Sequence, residues 1–178
     1  MPIAGSDVLY KYSVKTGAAG NSTASSAAAS LGKYISTTDV ATGLNGLFDD
    51  VSAAENAAST LDYRSFFVRN NHGSLTMQNT VVYLASETAG GTNIAIAIDN
   101  TAASVIGSAS AQGAEIATET TAPGAVGAFS SPTTAGTGLS LGNIPAGQCR
   151  QVWVRRTATN SVSQADGVTL EISFETAP

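Results

Sequence analysis

Apolar residues recur at every second position through several short stretches of this chain, and polar turns separate them. From Asp7 to Lys15, Val8, Tyr10, Tyr12 and Val14 fall on one face, and Leu9, Lys11 and Ser13 on the other. A period of two marks a half-buried strand. Asn93 to Asp99 alternates strictly, with Ile94, Ile96 and Ile98 against Ala95 and Ala97. Near the C-terminus an Asp166-Gly167 turn leads into a last strand. There Val168, Leu170, Ile172 and Phe174 face in, while Thr169, Glu171, Ser173 and Glu175 face out.

Two longer stretches carry the most information. Tyr63 to Ala85 holds a strand with Phe66, Phe67 and Val68, then the polar turn Asn70-Asn71-His72-Gly73-Ser74. A second strand follows with Val81, Val82, Tyr83 and Leu84. Arg64 to Asn70 is expected to pair with Thr76 to Ala85 as a hairpin. Both strands carry apolar residues on both faces, as when a strand is central or its outer face meets a partner. Leu141 to Thr157 has a turn at Pro145, Ala146 and Gly147, then a strand through Val152, Trp153 and Val154.

The rest is weaker. A short extended piece surrounds Tyr34 and Ile35, and another covers Ala114 to Thr118. Leu44 to Ala58 is the helix candidate. Leu47, Val51 and Ala54 fall at helical spacing, with Asp49 and Asp50 near the start, where the helix dipole favours them. Residues 17–30 and 121–138 are rich in Gly, Ala, Ser, Thr or Pro and read as long loops. Residues 1–6 read as an N-terminal arm.

The strands do not alternate with helices, which argues against a parallel α/β sheet. The pattern predicts one mainly β domain over residues 1–178. Its architecture is an antiparallel β-sandwich, immunoglobulin-like or jelly-roll-like, with one short helix and long loops. The expected core is Phe66, Val68, Val82, Leu84, Ile94, Ile96, Val152, Val154, Leu170, Ile172 and Phe174.

Composition sharpens this in one respect. Charged residues are 12% of the 178, about half the usual share. Ala, Gly, Ser and Thr take their place, which reads either as a surface much of which is covered by other subunits or as a mild compositional bias of the source genome. Net charge is −5 and the eight basic residues are scattered. Nucleic-acid binding wants a basic patch that displaces counterions, so none is expected. Arg155-Arg156, the one basic pair, reads as structural. No apolar run has the length of a membrane span. The N-terminus lacks the basic and apolar regions of a secretory leader, so none is expected. Asn21-Ser22-Thr23 matches a glycosylation sequon and reads as chance without a leader.

Candidate chemistry is sparse. His72 is the single histidine and Cys149 the single cysteine. A Ser-His-Asp or Cys-His site would have to use His72, which lies in a polar turn and reads as an ordinary surface residue. Cys149 reads as a small buried hydrophobe, and no intrachain disulfide is possible. A zinc site needs several such ligands. Asp49, Asp50, Glu55 and Asp62 form the densest acidic cluster. Acids at a helix N-terminus are the plain reading, with calcium between subunits as the alternative. Gly90-Gly91 lacks the lysine of a phosphate loop. Trp153 suits a core or interface better than a sugar platform. The expectation is no catalytic, cofactor-binding or metal residues, and no enzyme.

Five phrases, in order, resemble a family of tailed-bacteriophage virion proteins. They are SDVLYKYS, SLGKYIS, LNGLFDDVSAAE, DYRSFFVRNNHGSLTMQNTVVYL and LGNIPAGQCRQVWVRRT. The resemblance implies a capsid decoration, or cement, protein. Such a protein binds the outside of the head and clamps neighbouring major capsid subunits. The implied partner is the major capsid protein; with the low charge and the apolar residues on both faces of the Arg64 to Asn70 strand, a homotrimer is expected as well. The implied location is the virion surface, after synthesis in the host cytoplasm. A neck, tail or fibre protein, as a carbohydrate- or receptor-binding module, is the alternative. A small hydrolase fits less well.

Overall fold

The computed structural model describes residues 2–17, 23–88, 92–159 and 167–176. Nine strands and one short helix follow each other along them: β1 (Val8–Val14), β2 (Tyr34–Asp39), α1 (Ala53–Ala58), β3 (Leu61–Asn70), β4 (Met77–Glu87), β5 (Thr92–Ile98), β6 (Ser104–Val105), β7 (Leu139–Ile144), β8 (Gln148–Ala158) and β9 (Val168–Thr176). One sheet runs β2-β1-β3-β8-β5, with β6 also on β8, and the other runs β7-β4-β9. All pairings are antiparallel. The two sheets pack together as the expected β-sandwich.

The core between them follows from the alternation. Phe66 and Val68 of β3, Ile94 and Ile96 of β5, and Val152 and Val154 of β8 meet Met77, Val82 and Leu84 of β4 and Leu141 and Ile144 of β7. Burying each such side chain is worth roughly 1.5–3 kcal/mol before entropy is subtracted. Leu170, Ile172 and Phe174 pack against the same core but stay half-buried. β9 borders the smaller sheet and pairs only with β4. Its register is as expected, with Glu171 and Glu175 exposed.

The hairpin expected between Arg64–Asn70 and Thr76–Ala85 does not form. β3 pairs with β1 and β8, whereas β4 pairs with β7 and β9. The Asn70–Ser74 turn therefore steps from one sheet to the other. Pro145–Gly147, between β7 and β8, does the same. The two corners are tied together. The Asn70 amide donates to the carbonyls of Leu75 (2.8 Å) and Ile144 (2.9 Å), and the Gly147 N–H donates to the Asn70 carbonyl (2.9 Å).

The helix is also shorter than Leu44 to Ala58. α1 starts after Ser52, whose Oγ accepts from the Glu55 N–H (3.3 Å), while the Ser52 N–H donates to Glu55 Oε2 (2.6 Å). This reciprocal cap fixes the start. Asp49 and Asp50 lie ahead of it, and Leu44 is 75% exposed. Ala114 to Thr118 contributes a single bridge, Gly32 to Glu115, rather than a strand.

The long connection from β6 to β7 covers the outer face of the larger sheet. Trp153, Tyr63 and Ala97 on that face pack with Ile116, Val126 and Phe129 from the connection. Backbone bonds fix it: Lys33 N–H to Ala114 O (2.9 Å), Ile116 N–H to Leu31 O (3.0 Å) and Tyr63 N–H to Glu119 O (2.7 Å). Residues 125–131 run along the β5 edge, where Ile96 and Ser130 exchange two backbone bonds. The exposed edge is thereby blunted. In the segment expected to be an arm, Ile3 is buried in the main core. The sequon residues Asn21 and Ser22, the Gly90-Gly91 pair and Asp166 lie outside the described residues.

Candidate functional site

β3 and β8 place charged residues on the face that also carries the core. Along β3, Asp62 and Arg64 alternate onto the side of Phe66 and Val68. On β8, Arg156 shares the side of Val152 and Val154. Asp62 and Arg156 are direct cross-strand partners. Both are buried, Asp62 completely. Arg156 donates to Asp62 Oδ2 from Nε (3.2 Å) and Nη2 (2.8 Å). It also donates to the Asp49 carbonyl, and Nη2 lies 3.4 Å from Asp49 Oδ1.

A second guanidinium completes the group. Arg64 pairs with Glu119, which the covering connection brings to the edge of β3. The Phe48 ring lies near both cations, its centroid 4.9 Å from Arg156 and 5.9 Å from Arg64. Cations over a ring face are attracted by its quadrupole. Glu55, in the first turn of α1, faces the same place. Hydrogen bonds from the Ser52 backbone and then its side chain hold the Glu55 carboxyl below the usual range, and Arg156 adds to the effect. One carboxylate oxygen each from Glu55, Asp62 and Glu119 lies within 4.8 Å of the others.

The structure therefore joins two of the four acids singled out in the sequence, Glu55 and Asp62, with Glu119. Asp49 is connected through Arg156, and Asp50 is exposed. Glu119 carried no local signal, because it stands alone in a run of Thr, Ala and Gly. Asp62 opposite Arg156 was findable only with the β3–β8 register in hand.

The other candidates are structural. His72 Nδ1 accepts from the N–H groups of Ser74 (3.1 Å) and Leu75 (2.9 Å), so the ring shapes the corner. Cys149 is buried, its thiol pushed up to about 12 chiefly by burial. Trp153 is fully buried under the covering connection, which rules it out as an exposed platform. Its Nε1 lies 3.4 Å from Asp99 Oδ2. Arg155 stacks on Phe129, 5.2 Å from the ring centroid. Among the described residues no helix is long and apolar enough to cross a membrane.

A polar seam under the cover escaped the sequence reading. Gln151 Nε2 donates to Ser65 Oγ (2.8 Å) and to the Ala114 carbonyl (3.2 Å), and Ser65 Oγ donates to Ser13 Oγ (2.8 Å). Asp99 Oδ2 accepts from the Ala114 N–H at 2.8 Å. Gln151 and Asp99 thus bind both backbone groups of Ala114 and hold the cover against the sheet.

Comparison with protein-family models, curated proteins and solved structures found no match.

Proposed function

We propose that this chain is a structural component of a tailed-phage particle, bound to the outer capsid surface as a decoration protein. The observation that carries the reading is the ordered set of five resembling phrases, which span most of the chain. Two features of the fold support it. The sandwich is braced on its outer face by a connection pinned through its backbone. That connection also exposes mainly uncharged small residues. Residues 117–137 contain one charged side chain, Glu119, and most of the segment is exposed. Ala, Gly and Pro lose little side-chain entropy when a partner covers them.

The partners in this reading are the major capsid protein and further copies of the chain, as a trimer. One argument for self-association loses its force. The apolar outer face of β3 is covered by the chain's own connection, so it does not call for a partner. The low charge remains in favour. Many weak copies binding together would stabilise a shell by mass action and avidity.

Reconstruction of the particle that contains this chain tests the proposal. Density for the sandwich on the outer shell supports it. Density confined to the neck, tail or fibres overturns it.

A further inference from the structure

One oxygen at the charged end of the sandwich is buried without a partner. Asp62 is 0% exposed, and Oδ2 takes both bonds from Arg156. Oδ1 has no hydrogen-bond partner. A carboxylate oxygen removed from water needs a donor or a cation to offset its lost hydration.

The neighbouring acids leave room for a cation. The donors to Glu55 and Glu119 engage Oε2 in each, from the Ser52 N–H and from Arg64. Each carboxyl group thus keeps a second oxygen. One oxygen from each of Glu55, Asp62 and Glu119 lies within 4.8 Å of the others. That limit is twice a calcium–oxygen contact of about 2.4 Å. We propose that Glu55, Asp62 and Glu119 bind one divalent cation, with calcium preferred, and that Asp62 Oδ1 is its buried ligand.

A salt-bridge network without an ion is the competing account. Four carboxylates, Asp49, Glu55, Asp62 and Glu119, meet two guanidiniums, Arg64 and Arg156. Two negative charges stay uncompensated among these groups, and Asp62 Oδ1 stays bare. A divalent cation corrects both. All three ligands are hard oxygens, which suit calcium or magnesium rather than a thiolate-seeking metal. Calcium accepts loose, water-completed shells at about 2.3–2.6 Å, whereas magnesium demands a tight octahedron at about 2.0–2.1 Å. The ligands come from α1, β3 and the covering connection, so the ion would clamp the connection to the neighbouring α1 and β3, more than fifty positions earlier in the chain. This holds wherever the protein acts.

Titration calorimetry and thermal unfolding test the site on protein stripped with EDTA. Calcium chloride is expected to bind once per chain with a dissociation constant of about 10⁻⁵–10⁻³ M, tighter than magnesium, and to raise Tm with concentration. Asp62→Asn would disturb the buried bridge to Arg156, so the decisive variants are Glu55→Gln and Glu119→Gln. Glutamine keeps the Ser52 capping box, so Glu55→Gln should still fold, and the response of each variant to calcium is read against its own Tm in EDTA. Calcium affinity should fall by roughly tenfold or more in each variant. No saturable binding by about 10 mM, well above the weakest sites of this class, overturns the proposal. So does calcium affinity equal to that of the wild type in both variants. Magnesium binding as tightly as calcium overturns the calcium preference.

Discussion

Gly32 shows how closely the cover approaches the sheet. Its φ is +102°, and a Cβ there would lie 2.1 Å from the Ala114 carbonyl oxygen. That carbonyl already accepts from the Lys33 N–H, so it cannot easily move. Gly32→Ala is expected to cost about 2–3 kcal/mol, from the left-handed backbone and the clash together. Urea unfolding followed by Trp153 fluorescence measures it. Cys149 makes stability depend on alkaline pH. Burial raises its thiol from 9.0 to about 12, so the unfolded chain loses this proton first as pH rises. The contribution is fully present below pH 9 and is lost between 9.0 and about 12. Cys149→Ala should flatten the alkaline fall in stability across that window. In the wild type, alkylation at pH 8 should be slow when native and fast in urea.

At the scale of elements, the corners decide the topology. Asn70→Ala would strip the donors from the Leu75 and Ile144 carbonyls and loosen both inter-sheet turns. The expected cost is about 1–3 kcal/mol, measured by chemical denaturation. The existence of most strands was legible, because alternation reports a half-buried face directly. β5, β8 and β9 lie where that pattern placed them, and the inward face of β9 is the one expected. The partner of β3 was not legible. A polar turn such as Asn70–Ser74 can close a hairpin or step between sheets, and the side-chain bonds of Asn70 settle which. The helix was overextended because Leu47, Val51 and Ala54 share a period that an irregular segment also tolerates. The Ser52–Glu55 capping box marked the true start. The charged end was half legible. Asp62 and Glu55 stood out as acids, but Glu119 comes from more than fifty positions further along the chain and is brought in by the cover.

The whole molecule is a sandwich with a third, irregular layer. The second apolar face of β3, for which the sequence left open a central strand or a partner surface, is that of a central strand and the seat of the layer. What the layer presents outward is small and almost uncharged between residues 117 and 137. A trimer held by such surface should bury more than about 1,000 Å² at each interface if it is stable. On the function proposed above, the chain acts on the outside of a phage head. The most direct measurement is a cryo-electron reconstruction of the particle, with and without this protein. Sandwich-shaped density is expected on the outer capsid lattice, with a head less resistant to heat when that density is missing. Density only at the neck or tail, or equal heat resistance without the protein, would contradict it.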